Sequence, residues 1–460
     1  MAKAPDHLEK PMNNLSPRTV ATFTRSDDYR ARVHDFIVGG AHTYSKGDDQ
    51  FPALSPAAIA RGKGGRVWDL DGNEYVDCAL ALGAISLGHA YEPVLDAVRG
   101  QLERGAAFQR PASIELELAE EFLALTPGMD RIKYAKNGSN VTTAAVKLAR
   151  AFTGRDLIAF PGNHSFYSFD DWFIGSTAVN SGVPDGIRTF SVTYDSTKPE
   201  TLQALFDAYP GQIACVITEP EEVLHSPPDA VRAVEKIAKA HGAVFIVDEM
   251  VTGFRSGLPG AYVGLGLQPD LVTWGKAVGN GFSFCALTGR AEIMDLGGIK
   301  QNSQPRVFLL SSTHGGEAHT LAAARAVMHA YRTLDVIGHQ HRLVARVAQE
   351  MRDLVTRHGL GGAVEIHASP WRVVVVCRDG EGAASLPLRT LLMQEMIGRN
   401  VLFQGIFLPC FMHSDDDIAR ILDAFDRSCA VYRHALRHGL DGLLVGESTR
   451  PVFRRYVAER

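Results

Sequence analysis

Short, nearly uncharged apolar runs recur through the middle of the chain, spaced by segments of a different period. Leu157–Phe160, Ile187–Val192, Ile213–Glu219, Val244–Asp248 and Leu271–Gly275 are dominated by Val, Ile, Leu and Phe. Each predicts a strand buried on both faces. Leu116–Leu125 and Thr142–Phe152 instead place apolar residues three and four positions apart, as an amphipathic helix requires. Helices alternating with doubly buried strands predict an α/β domain, a mostly parallel sheet with helices on both faces.

The flanks follow other patterns. Val67–Ala79 contains two short apolar runs around Asp71-Gly72-Asn73, whose tolerance of positive φ predicts a hairpin. Residues 1 to about 35 are polar and interrupted by Pro5, Pro11 and Pro17, which predicts a mobile arm with a short helix over Asp28–Phe36. After a helix over Ala322–Leu334 come a long amphipathic helix, Arg342–His358, a strand, Arg372–Cys377, and a last helix, Asp415–Leu436, whose Asp415-Asp416-Asp417 start suits a helix N-terminus. The expected organisation is an N-terminal arm and small segment over residues 1–80, a large domain over 81–325, and a smaller α+β domain over 326–460.

Composition narrows the function classes. At 460 residues the chain exceeds one ordinary core. A net charge of −5 and a pI near 6.4 give no electrostatic reason to expect nucleic acid or an anionic membrane as partner. No window approaches the ~18 apolar residues of a membrane span, and the start lacks the apolar core of a secretion signal. Six scattered cysteines without a CxxC predict reduced thiols rather than a disulfide framework or zinc site, which fits a cytoplasmic location. His339-Gln340-His341, among helical and charged surroundings, is expected to be solvated rather than metal-binding.

The candidate chemistry sits at two strand ends. Val244–Val247 runs into Asp248-Glu249, and Leu271–Trp274 runs into Gly275-Lys276. Ligands of open α/β sheets lie beyond the carboxyl ends of the strands, so an acid and an amine converge on one crevice. That pair is what pyridoxal phosphate chemistry needs: a lysine to hold the aldehyde as a Schiff base, and an acid to keep the pyridine nitrogen protonated.

Ile246–Arg255 (Ile-Val-Asp-Glu-Met-Val-Thr-Gly-Phe-Arg) and Thr273–Gly281 (Thr-Trp-Gly-Lys-Ala-Val-Gly-Asn-Gly) resemble the class III aminotransferases, in particular the glutamate-1-semialdehyde aminomutase branch. Further matches fall in order: Val67–Asp77, Leu87-Gly88-His89, Asn137-Gly138-Ser139-Asn140, Glu219-Pro220 and Ser312–Glu317. The likeness runs from about Val38 to Asp423. It implies a fold-type-I pyridoxal phosphate transferase with Lys276 as the Schiff-base and proton-shuttling residue and Asp248 as the partner of the pyridinium nitrogen. Gly138 and Ser139, with Asn140 where the family usually has Glu, would bind the phosphate at a helix start. Thr313 would reach the phosphate held by a neighbouring subunit, which implies a homodimer with shared active sites.

Around the ring the resemblance is looser. Asn163 stands where the family commonly has a stacking aromatic, and His164 keeps its place; Phe166 or Tyr167 could fold back instead. Met250 and Glu219 are expected to line the crevice, and Glu249 to anchor the neighbouring loop. On the substrate side, alignment on Gly39-Gly40 puts Lys46 where the mutase has an arginine, and Lys lacks the bidentate fork that grips a carboxylate. Arg110 is a candidate second cation. Glu317 replaces a small or amide residue.

These departures favour an intermolecular, ping-pong aminotransferase acting on an amino-acid donor and an aldehyde or ketone acceptor. The alternative is the intramolecular mutase that forms 5-aminolevulinate. A pyridoxal-binding protein without turnover is disfavoured because Lys276 and Asp248 are both retained, and a nicotinamide enzyme because no GxGxxG follows the first strand of the sheet.

Overall fold

The computed structural model describes residues 18–20, 22–163, 166–220, 227–300 and 305–455. Its centre is a seven-stranded sheet. In chain order the strands of the molecule are β1 (Ile59–Lys63), β2 (Arg66–Asp69), β3 (Glu74–Asp77), β4 (Arg131–Ala135), β5 (Leu157–Pro161), β6 (Ser191–Tyr194), β7 (Ile213–Thr218), β8 (Val244–Asp248), β9 (Leu271–Trp274), β10 (Cys285–Gly289), β11 (Val364–Ser369), β12 (Arg372–Cys377), β13 (Val401–Leu402) and β14 (Ile406–Phe407). The large sheet has the order β4-β10-β9-β8-β7-β5-β6. Its strands run parallel except β10, which is antiparallel to both neighbours.

The apolar runs serve this sheet by alternation. Val216, Phe245, Val247, Val272 and Trp274 face one core, packed by helices Glu92–Leu102, Ser113–Leu125 and Ala318–Thr333. Cys215, Ile217, Val244, Ile246 and Leu271 face the other, packed by Gly138–Thr153. A parallel strand covered on both sides needs two apolar faces, which is why these runs carry no polar alternation.

A third apolar cluster lies under the long helices Val336–Arg357 and Asp415–His438, together with Leu386–Ile397, β11 and β12. It takes in Val76 and Cys78 from the hairpin, and β13 pairs in parallel with β3, so the hairpin and the C-terminal segment share a sheet. The hairpin is as expected: β2 and β3 are antiparallel, and Gly72 at φ +88° makes the turn. Among the described residues no helix is long and apolar enough to cross a membrane. All six cysteines are free and buried.

Three expectations need correction. Ile187–Val192 is not one strand: Asp185–Arg188 forms a helical turn behind Pro184, and β6 begins at Ser191. Pro184 has its φ fixed near the helical value, and Asp185 supplies charge to the first turn, so the segment starts helical despite its apolar residues. The early helix is Thr24–Val33 rather than Asp28–Phe36. His339-Gln340-His341 is less solvated than expected: Gln340 is buried, while His339, against Phe411, and His341, on Arg255 O, are half-buried.

Candidate active site

Lys276 and Asp248 stand at the carboxyl ends of neighbouring strands. β8 and β9 are in parallel register, with Asp248 opposite Thr273. Asp248 is buried, and its Oδ1 accepts from Met250 N at 2.9 Å and from Thr273 Oγ1 at 2.8 Å. Thr273 therefore joins the acid to the strand that carries the lysine. Lys276 is half-buried, and desolvation holds its ammonium below the ordinary lysine range, opposed by Glu219 and Asp248 and assisted by Arg255. A lysine with lowered basicity next to acids suits a nucleophilic amine that also carries protons.

The lysine's backbone is strained. Gly275 is fully extended, Lys276 turns left-handed at φ +44°, and Asn280 does so at φ +43°. Such a conformation costs about 1–2 kcal/mol for a residue with a Cβ and persists only where its surroundings impose it. They do so here. Asn280 Oδ1 accepts from Ser86 N and Leu87 N, both at 2.9 Å, and its Nδ2 donates to Gly88 O. Ser86 Oγ donates to Ala277 O at 3.0 Å.

The helix Gly138–Thr153 begins against this pair. Asn137 caps it, its Oδ1 accepting from Asn140 N at 3.0 Å. Ser139 is buried, and its Oγ accepts from Phe169 N. Met250 Sδ is the first atom that an added Cβ would meet at either Gly138 (3.1 Å) or Gly275 (2.6 Å), so the two glycines and the thioether share one small space. Gly138 thus leaves the helix start bare of side chain beside the lysine turn, a fit for a dianionic phosphate. Pyridoxal phosphate fits the donor set: an amine, a buried acid fixed by two donors, and a side-chain-free helix N-terminus.

Glu219 is buried at the end of β7 and acts electrostatically on Lys276. Its N–H donates to Tyr167 Oη at 3.2 Å. Tyr167, not Phe166, has turned inward. It is buried against Phe160 and Phe173, its hydroxyl held far above the ordinary phenol range by burial and by Tyr194, Asp248 and Glu219, whereas Phe166 is exposed. Asn163 is exposed, its Oδ1 accepting from Ser196 Oγ at 3.2 Å. His164 lies outside the described residues. Glu249 anchors its loop as expected: fully buried, it accepts from Thr252 Oγ1 and from Tyr262 N at 2.7 Å.

The expected substrate residues are more scattered. Glu317 directly precedes Ala318–Thr333 and pairs with Lys136 and with His314 at 3.1 Å. Its carboxyl is held below the usual range, chiefly by Lys136. Lys136 directly precedes the capping Asn137, so Glu317 belongs to the rim of the same crevice. Arg110 and Lys46 are exposed, the latter in the turn Tyr44–Lys46, where Ser45 O accepts from Gln404 Nε2. Thr313 is exposed as well.

Sequence reasoning missed Lys136, Ser86 and Arg255, and assigned no role to Asn280. Arg255 and Asn280 lie inside the quoted motifs, but nothing in their local pattern announces burial.

The family model for class-III aminotransferases matches residues 44–365. The chain belongs to the class-III aminotransferases. It is 29% identical over 423 residues to the 3-aminobutyryl-CoA aminotransferase of Cloacimonas acidaminovorans, covering 90% of this chain and 98% of that protein. It is 35% identical over 287 residues to the glutamate-1-semialdehyde 2,1-aminomutase of Symbiobacterium thermophilum, covering 60% of this chain and 66% of the mutase. Among solved structures it resembles the pyridoxal phosphate form of the FumI protein of Sphingopyxis sp. MTA144, with a TM-score of 0.82, 24% identity, and 90% and 98% of the two chains covered. A glutamate-1-semialdehyde aminomutase from Pseudomonas aeruginosa PAO1 superposes with a TM-score of 0.76 at 22% identity, covering 89% and 95%. The fold is therefore that of the fold-type-I pyridoxal phosphate enzymes, and the class-III aminotransferase is a pyridoxal-phosphate-dependent enzyme.

Proposed function

We propose that this class-III enzyme is an intermolecular aminotransferase, taking nitrogen from an amino-acid donor and passing it to an aldehyde or ketone. The observation that carries the amino-transfer chemistry is the union of Lys276, Asp248 and the Gly138–Ser139 helix start in one crevice. When bound, the cofactor supplies an aldehyde for amine capture and an electron-withdrawing ring. The chain does the rest. Asp248, fixed by Thr273 and Met250 N–H, would hold negative charge where the ring nitrogen needs a proton; Lys276 Nζ would hold the aldehyde and carry the proton at the reacting carbon; Gly138 and Ser139 would hold the phosphate. Met250 and Glu219 bound the pocket, with Tyr167 behind Glu219.

The choice of transaminase over mutase is supported by Lys46 in place of a guanidinium and by the charged rim of Lys136, Glu317 and His314. Purified protein mixed with single amino acids should show conversion of the cofactor's visible absorbance by its donor. Formation of 5-aminolevulinate from glutamate-1-semialdehyde with no other donor or acceptor would overturn the assignment in favour of the mutase.

A homodimer belongs to the same reading. Thr313 is exposed, as a residue serving the partner subunit should be, and Phe36, Val38, Phe108, Ile299 and Phe308 are exposed apolar residues that a second copy would cover. Activity that falls on dilution, together with a dimer mass in sedimentation, is the expected result. The six buried thiols fit a reducing cytoplasm.

A further inference from the structure

The segment between the hairpin and the first large-domain helix contains an unusual backbone. Leu80, Ala81, Leu82 and Gly83 have φ values of +48°, +55°, +58° and +81°, one full turn of left-handed helix in which only the last residue is glycine. L-residues adopt this conformation singly and seldom in series, so something outside the turn must hold it.

Arg255 is that support. It is fully buried, and its Nη2 donates to Gly83 O, the last carbonyl of the turn, while Nη1 donates to Val251 O at 3.3 Å in the loop after Asp248. Among the described residues no carboxylate pairs with it. The groups facing it are Tyr331, Cys410 and, on its own carbonyl, His341 Nε2 at 2.8 Å. A buried guanidinium without an anion is costly unless it has a task.

The chain beyond the turn leads directly to the lysine. Ile85 packs where a Cβ on Gly281 would fall, Ser86 bonds Ala277 O and receives Gln340 Nε2 on its own carbonyl at 2.7 Å, and Asn280 closes on Ser86, Leu87 and Gly88. Arg255 also acts electrostatically on Lys276, which is faced by Glu219, Asp248 and Cys285 as well.

We infer that Arg255 is a positioning residue of the amino-transfer site. Its fork clamps the left-handed turn Leu80–Gly83 to the Asp248 loop, so that Ser86 and Asn280 can hold the Lys276 turn. The inference rests on Lys276 being the cofactor lysine.

The test is a pH titration of the visible absorbance of cofactor-loaded R255M, R255K and wild type, alongside kcat/KM. Removing a cation beside a nitrogen that becomes cationic raises that nitrogen's titration, so R255M should move the midpoint upward by about one pH unit and lower kcat/KM by roughly tenfold or more. R255K keeps the charge but cannot fork to two carbonyls, so its midpoint should stay while kcat/KM falls. A folded R255M with unchanged kcat/KM and an unmoved midpoint overturns the inference. Should R255M fail to fold, as judged by circular dichroism, R255K decides: unchanged kcat/KM overturns the clamp. K276A separates the two claims, since a borohydride-stable phosphopyridoxyl label on another lysine there removes the cofactor assignment itself rather than the role of Arg255.

Discussion

The lysine turn and the C-terminal apolar cluster are built by opposite rules. Gly275–Gly281 carries left-handed backbone, buried polar side chains and a depressed lysine, each held by hydrogen bonds to distant segments. The cluster under Val336–Arg357 and Asp415–His438 is regular helix with apolar stripes, where Val347, Met351, Phe425 and Tyr432 are fully buried. In the first region free energy is spent on placing an amine and an acid. In the second it is gained by removing apolar surface from water. Function and stability are therefore separable by mutation.

Lys276→Ala should lower turnover by about 10³-fold or more while leaving the thermal midpoint near wild type, because it removes the nucleophile from a half-buried position. A stable variant with substantial activity would break the contrast. Asp248→Asn should cost roughly 10²-fold or more in kcat/KM, measured with the best donor, since a neutral amide cannot hold the ring nitrogen protonated.

The opposite arm is Phe425→Ala. It opens a cavity in the helical cluster and should destabilise by about 3–5 kcal/mol in denaturant unfolding, with kcat of the folded fraction unchanged. A milder probe is Ser414→Ala. Ser414 Oγ accepts from Asp417 N, and Asp417 returns the bond to Ser414 N in a capping box, so the loss should be about 1 kcal/mol.

The smallest effect expected is one of pH. Arg378 and His367 hold the Glu365 carboxyl down from 4.5 to about 2. A carboxyl lowered on folding stabilises the native state above its unfolded pKa, and that contribution fades as pH falls from 4.5 towards about 2. Glu365→Gln should therefore flatten the acid limb of stability slightly, without touching activity at neutral pH.

Much of this contrast was legible in the chain. β8 and β9 were visible because strands buried on both faces need unbroken apolar runs, and their last residues named the acid and the lysine. β4 escaped notice because Arg-Ile-Lys-Tyr-Ala is an edge strand with Arg131 and Lys133 exposed, so its pattern lacks an apolar run. The helix start was read a few residues late, near Val141, because Gly138 and Ser139 are poor helix formers. Arg255 and Gln340 look like surface residues in sequence, and only the fold buries them against Gly83 and Ser86. Tyr167 and Phe166 are neighbours of similar chemistry, and tertiary packing alone decided which turned inward.

The central claim is that the amine of residue 276 carries the cofactor beside the acid of residue 248. Borohydride reduction of the purified protein, followed by proteolysis and mass spectrometry of the peptides, tests it most directly. The account predicts a phosphopyridoxyl group on the peptide containing Lys276 and on no other; a label on a different lysine, or none, would contradict it.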